Sequence, residues 1–303
     1  MGLLTLPSSR SFGQILKSPK IVVIGAGIIG TMIAYELVKK GADVKIIDKE
    51  FPASGASGHS FSWINATYPK KPYEYNLLSQ LGIDAYKSLE TEFNFDIRWN
   101  GSLEWFENDS QQEELFSEIN AVREYPTYTP VEIISSSQAQ RMEPNIYFGD
   151  RKRIVHSLSD GAIDTIHAIQ LIQGEFERLG GESIFPCEFL KLNQLNGRLK
   201  SIDTNQGTIE ADYAIFACGI DTDKNLGLNT QSTPTSGIIL RSKPVESLFN
   251  KIIVGPGVHI HQQKNGAIIL GEQDGAPLNH FDRLKKRPNK FPSKEFEELH
   301  TER

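Results

Sequence analysis

Three glycines and one carboxylate carry the most legible chemistry in this sequence of 303 residues. Gly25, Gly27 and Gly30 stand in G-x-G-x-x-G spacing, and Asp48 follows eighteen residues after the last of them. A glycine at 25 permits a tight turn, one at 27 lets the backbone approach a pyrophosphate, and one at 30 lets a helix pack closely on a strand. Ile28 and Ile29 fall where that helix would begin, so its N–H groups and positive dipole end face phosphate. Asp48, followed by Lys49, is placed to accept both hydroxyls of an adenosine ribose, and its charge would repel the 2′-phosphate of NADP. The chemistry implied is the binding of a dinucleotide. The spacing does not separate NAD from FAD.

The elements that must position these groups are written around them. Ile21 to Ile24 form an apolar run with the length of a strand buried on both faces. A helix follows with Ile29, Met32, Ile33 and Leu37 on one side and Gly41 as its C-cap. Val44 to Ile47 give the next strand, ending at Asp48. A strand before the glycines, a helix after them and an acid at the end of the next strand is the context that supports the motif. Beyond it, residues 51–66 read FPASGASGHSFSWINA, a loop of small residues whose backbone N–H groups could form an anion nest.

Composition excludes several classes. The net charge of −6 and the lack of a basic stripe argue against a nucleic-acid partner. No apolar run approaches a transmembrane span. Cys187 and Cys218 are too few for a disulfide framework or a metal cluster, so a reducing, cytoplasmic setting is expected. Residues 1–20 read as a leader.

Downstream, Tyr75 to Phe93 form a helix with Leu77, Leu78, Leu81, Ile83, Tyr86 and Leu89 near one face. Phe95 to Phe106 alternate around Asn100-Gly101, a hairpin signal. Gln111 to Val122 give a helix with Leu115, Phe116 and Ile119 inward, and SSSQAQRMEPNI a serine-capped one that stops at Pro144. Trp99 and Trp105 read as core. Asp164 caps a helix that ends at Gly180-Gly181. Glu182 to Leu192 and Arg198 to Thr204 are strands joined at Asn196-Gly197, and Ile209 to Ala217 are another. In VHIHQQKNGAIILGE a two-residue turn at Asn265-Gly266 pairs His261 with Leu270 and His259 with Glu272. That register puts His259, His261, Gln263, Ile268, Leu270 and Glu272 on one face.

IVVIGAGIIG, IIDKE and GASGHSFSWINA, in this order, resemble the N-terminal third of the FAD-dependent D-amino-acid oxidase superfamily, above all its glycine oxidase, sarcosine oxidase and D-amino-acid dehydrogenase branch. The later order of helix, strand, hairpin and buried strand is similar to its second nucleotide-binding block. The resemblance implies an α/β fold, a Rossmann-like FAD-binding domain (21–68 and 151–230) interleaved with an α+β substrate domain built on a mixed or antiparallel sheet (69–150 and 231–275). It implies FAD as cofactor, with Ala56, Ser57, Gly58, His59 and Ser60 along it, Phe189 offering its backbone to adenine, and Cys218 and Gly219 in a turn where a threonine is common instead of the cysteine. The SGHS setting of His59 differs from the motif of relatives that hold flavin covalently.

By the same resemblance the substrate is a small amine or amino acid, oxidised by hydride transfer from its α-carbon to flavin N5, with the imine then hydrolysed. His261 is the candidate for the polar residue of the covering sheet that reaches the substrate. The lysine and histidine of sarcosine oxidases are replaced by Ile269 and Gln273. Residues 276–303 lack the family's glycine–leucine–arginine segment and final glycine-rich turn. Three readings follow: a lost C-terminus, a second subunit completing the site, or a non-catalytic FAD-fold paralogue. Arg241 is the candidate to replace the carboxylate-binding arginine. A 2-hydroxy-acid dehydrogenase on the same scaffold is the alternative enzyme.

Overall fold

The computed structural model describes residues 18–149, 153–228 and 239–272. The expectations for residues 1–17 and 273–303, including Gln273, lie outside them. The chain divides into two compact units: Met1–Pro52 with Ile172–Asn225, and Ala53–Leu171 with Leu226–Arg303.

The first unit is built on a parallel sheet in the order Tyr213–Phe216, Lys20–Ile24, Asp43–Ile47, Glu182–Ile184. Lys20–Ile24 is central and its last four residues are buried, as its unbroken apolar pattern requires. The helix Ile28–Lys39 follows, and Gly41 closes it at φ +83°. Two expected long strands are each divided. Glu182–Ile184 lies in the parallel sheet and Phe189–Leu195 in a separate antiparallel one, because Pro186 between them has no N–H for either ladder. Gly207–Glu210 and Tyr213–Phe216 divide in the same way at Ala211-Asp212. The turn at Asn196-Gly197 is as expected, with φ of 53° and 71° and Leu195 paired with Arg198.

The second unit carries a seven-stranded mixed sheet. Its order is Ile239–Arg241, Ile268–Glu272, Val258–Gln262, Ile252–Gly255, Ser102–Glu104, Ile154–Ser157, Val131–Ile134. Only the contact between Ile252–Gly255 and Ser102–Glu104 is parallel. The α/β class and the mixed second sheet are therefore those expected. Residues 53–68 and 153–171, expected with the first unit, cluster with the second. The reason is local: Trp63–Ile64 pairs with Gly161–Ala162, and the buried Asp160 accepts from Trp63 Nε1, Ala66 N and Thr67 Oγ1.

Two further expectations are corrected. Residues 95–106 form no hairpin: Arg98 bridges to Ala162, and Ser102–Glu104 pairs with Ile154–Ser157 and Ile252–Gly255. In the helix Tyr73–Phe93 the buried residues are Asn76 and Ile83, while Leu78 and Leu81 are exposed. Asn76 faces inward because it accepts from Thr127 Oγ1 at 2.6 Å, and Gln80 because it donates to Ala66 O at 2.6 Å. Specific hydrogen bonds override the apolar pattern there. The serine-capped helix Ser136–Met142 has the full capping box, Ser135 with Gln138.

Glu104 lies buried in the middle of this sheet. Desolvation, with Asp160 adding to it, pushes its carboxyl up to about 8. The folded state therefore holds its proton well above the ordinary value of 4.5, so the associated stability is full at acid pH and is lost as pH rises through about 8. Glu104→Gln is expected to remove this slope. Denaturant titrations at rising pH should show the variant gaining on the parent by up to about 1.4 kcal/mol per pH unit; parallel curves would exclude a buried neutral Glu104.

Candidate functional site

In the first unit the glycine loop is a close-packed cradle. Gly25 sits at φ +109°, and a Cβ there would lie 2.3 Å from Ala217 O; a Cβ on Gly30 would lie 1.8 Å from Gly25 O. Both positions therefore exclude side chains. Gly27 is the N-cap of the helix and supplies no side-chain cap. Asp48 reaches back to the loop: Oδ2 accepts from Ala26 N at 2.7 Å and Oδ1 from Glu50 N at 3.0 Å. Each oxygen keeps lone-pair capacity for a ribose hydroxyl.

The other predicted residues of this unit gather nearby. Lys49 pairs with Asp221 at 2.7 Å, which ties it to the turn begun by Gly219. Cys218 Sγ donates to Ile24 O at 3.3 Å, and burial pushes its thiol up, so it stays protonated and serves as packing. Phe189 opens its strand with its ring edge-on to Phe216, 5.0 Å between centroids.

In the second unit, residues 53–59 form a run of turns. Gly58 and His59 donate their backbone N–H groups to Gly55 and Ala56 at 3.2 Å, so these two point into the loop and not into an open nest. His59 Nδ1 bonds Gly55 O at 2.9 Å, and Ser60 Oγ accepts from Ser62 N.

The hairpin register differs from expectation by one residue. Ala267 pairs with Gln263, His261 with Ile269 and His259 with Gly271. The loop has three residues, Lys264, Asn265 and Gly266, with only Gly266 at positive φ (91°). This is a turn closed by a left-handed glycine, which Asn-Gly serves as readily as the two-residue form. His259, His261, Gln263, Ile269 and Gly271 consequently share one face, while Ile268 and Leu270 occupy the other.

On that face Phe61 lies edge-on to both histidines, at 4.3 Å from His259 and 4.8 Å from His261. His261 is buried, and its Nε2 donates to Phe61 O at 2.7 Å, which assigns the tautomer because a carbonyl only accepts. Its Nδ1 is then an acceptor, and it has no partner. Desolvation pushes His261 down to about 4; the Phe61 carbonyl opposes this, and Arg98, Arg241 and His259 reinforce it. The imidazole is neutral at physiological pH.

His261 and Arg241 line one cavity of about 380 Å³, together with Arg98, His167, Gln263 and Lys264. Arg98 and His167 were not singled out from the sequence. Arg98 reaches the cavity through its bridge to Ala162, a tertiary pairing with no local signature. Trp105 is core, against Phe148, whereas Trp99 lines a second cavity of about 640 Å³. Among the described residues no group of side chains could hold a metal, and no helix is long and apolar enough to cross a membrane.

The sequence matches the family described as FAD dependent oxidoreductase over residues 20–301. The chain belongs to that family. This FAD-dependent oxidoreductase is 23% identical over 270 residues to the glycine oxidase of Pseudomonas putida, covering 84% of the chain and 70% of that protein. It is 21% identical over 280 residues to the D-amino acid dehydrogenase of Rhodopseudomonas palustris, covering 72% and 64%. The glycine oxidase of Geobacillus kaustophilus has the same fold, with a TM-score of 0.73 at 18% identity over 84% of this chain and 71% of that one. The cofactor of the family is FAD, and the side-chain-free glycine cradle and the open acceptor capacity of Asp48 fit its diphosphate and ribose.

Proposed function

We propose that this oxidoreductase oxidises an amino acid or related amine at its α-carbon. The observation that carries the reading is the cavity in which a neutral, half-satisfied His261 stands with Arg241. Gly25, Gly27, Ile28, Ile29, Gly30, Asp48 and Lys49, with Phe189, Cys218 and Gly219, are the proposed FAD contacts of the first unit. Ala56, Ser57, Gly58, His59 and Ser60 are those of the second. Bound FAD supplies an acceptor at N5 for the hydride that leaves the substrate carbon.

The chain's own residues bind and orient. Arg241 offers a guanidinium to the substrate carboxylate; its acceptor among the described residues is the neutral Gln263 Oε1 at 3.0 Å. His261 Nδ1, the ring's unused acceptor, is closed to solvent as the ring stands and would take an N–H of the amine once the ring turns towards the cavity. With its value near 4 it is too weak a base to take a proton from an ammonium, so it aligns an amine that arrives neutral. The stability tied to its neutral form is present above the ordinary 6.5 and lost as pH falls through about 4.

The test is anaerobic reduction of the holoenzyme's flavin. Glycine, D-alanine, D-proline and N-methyl amino acids are the panel, with 2-hydroxy acids beside them. Bleaching by an amine and not by a hydroxy acid is expected; the reverse would make the protein a hydroxy-acid dehydrogenase. His261→Ala should slow reduction roughly tenfold, the worth of one hydrogen bond, with flavin content unchanged. Unaltered rates would remove His261 from the site.

A further inference from the structure

Two guanidiniums serve this cavity, and neither has a carboxylate partner among the described residues. Arg241 Nη1 donates to the side-chain carbonyl of Gln263. Arg98 donates through Nη1 to Gln262 O and through Nη2 to Asn250 Oδ1 at 3.2 Å. All these acceptors are neutral, and a guanidinium has five N–H groups, so both keep donors in reserve.

The other charges lining the cavity are already engaged. Lys264 pairs with Asp96. Asp164 Oδ1 accepts from Ile166 N and His167 N as the cap of its helix, where the dipole favours its charge. Burial lowers the affinity of Arg98 for its proton and Glu143 opposes this from nearby, but Glu143 is itself buried and spends its oxygens on Asn250 N and Lys251 N. The two guanidiniums also act on one point, since Arg98 and Arg241 both disfavour a proton on His261. An anion beside that ring would feel both.

We infer that the substrate held in this cavity is an amino acid with two carboxylates, one for each guanidinium: an acidic amino acid or an N-carboxyalkyl one. The assignment rests on the amine-oxidation reading for its amino group and on Arg98 for its second carboxylate. A single carboxylate satisfies Arg241 and leaves Arg98 facing the cavity with donors to spare. A second carboxylate on the same small molecule gives Arg98 a partner while the first takes Arg241, within a cavity volume suited to a small molecule.

The test needs no turnover. Calorimetric titration of the holoenzyme with glutarate and with butyrate compares a two-carboxylate chain with a one-carboxylate chain of similar reach. Glutarate should bind about 10- to 100-fold more tightly, the worth of a charge-assisted pair. The ratio should fall towards one in Arg98→Gln. Because Arg98 also holds Asn250 and Gln262, Arg241→Gln, which among the described residues loses the Gln263 contact alone, serves as the second variant and should lower the ratio too. Anaerobic bleaching then compares aspartate and iminodiacetate with alanine and glycine. Equal affinity for glutarate and butyrate, with neutral amino acids bleaching as efficiently as acidic ones, overturns the inference and leaves amine oxidation standing. A glutarate preference with no bleaching by any amine upholds the two-carboxylate site and sinks the amine-oxidation reading instead.

Discussion

Gly25→Ala is expected to yield a folded protein that retains little or no flavin. The new Cβ would stand 2.3 Å from Ala217 O and 2.7 Å from Ala217 C, and backbone at φ +109° resists any side chain. Ala217 cannot retreat cheaply, because its N–H is bonded to Ile24 O at 2.8 Å across the parallel sheet. The loop must therefore give way, and the glycine turn with it. Strain of about 1–3 kcal/mol converts to a roughly 10- to 100-fold loss of FAD affinity. The measurement is visible flavin absorbance relative to protein absorbance after purification, with circular dichroism to confirm the fold. Gly41→Ala separates strain from space: Gly41 also has positive φ (+83°) but nothing lies within 4 Å of its added Cβ, so flavin should be retained. Equal flavin content in both variants would mean that the diphosphate does not sit on the Gly25 turn.

The second large effect concerns stability. Asp160 is fully buried, and its two oxygens accept four hydrogen bonds. Oδ1 takes Ala66 N at 2.8 Å and Thr67 Oγ1 at 3.2 Å. Oδ2 takes Trp63 Nε1 at 3.0 Å and Ser102 Oγ at 2.8 Å. Asp160→Asn keeps the shape, but its NH₂ group must face one of these donor pairs, whichever way the amide is turned. Each pair contains a hydroxyl that can turn to accept from the amide, so one N–H, that of Ala66 or of Trp63 Nε1, is left unmatched, at about 1–3 kcal/mol. That corresponds to a fall in Tm of about 2–10 °C for a chain of this size. A Tm within a degree or so of the parent would show that the network tolerates a donor, and that Asp160 does not organise the segment from Trp63 to Thr67.

The first unit was legible because its rules are local. An apolar run of strand length, glycines at fixed offsets and an acid at the next strand's end each constrain their own neighbourhood, and the cradle follows from them. The second unit obeys tertiary rules. Leu78 and Leu81 face solvent because Asn76 and Gln80 found partners that periodicity cannot see. The hairpin was recognised, yet Asn265-Gly266 fits a loop of two residues or of three, and the choice moves Ile269 onto the histidine face. His261 and Arg241 were named from the sequence. Arg98 was not, since only its pairing with Ala162 carries it to the same cavity.

The central place of Lys20–Ile24 has a consequence for how the molecule is made. One neighbour, Asp43–Ile47, leaves the ribosome almost at once, but the other, Tyr213–Phe216, is some two hundred residues behind. Until it emerges, the nascent protein carries a strand apolar from Ile21 to Ile24 with one naked edge, a template for unwanted pairing with other chains. Synthesis of this protein should therefore lean on holdase chaperones through most of translation, and release from them should coincide with the arrival of Phe216.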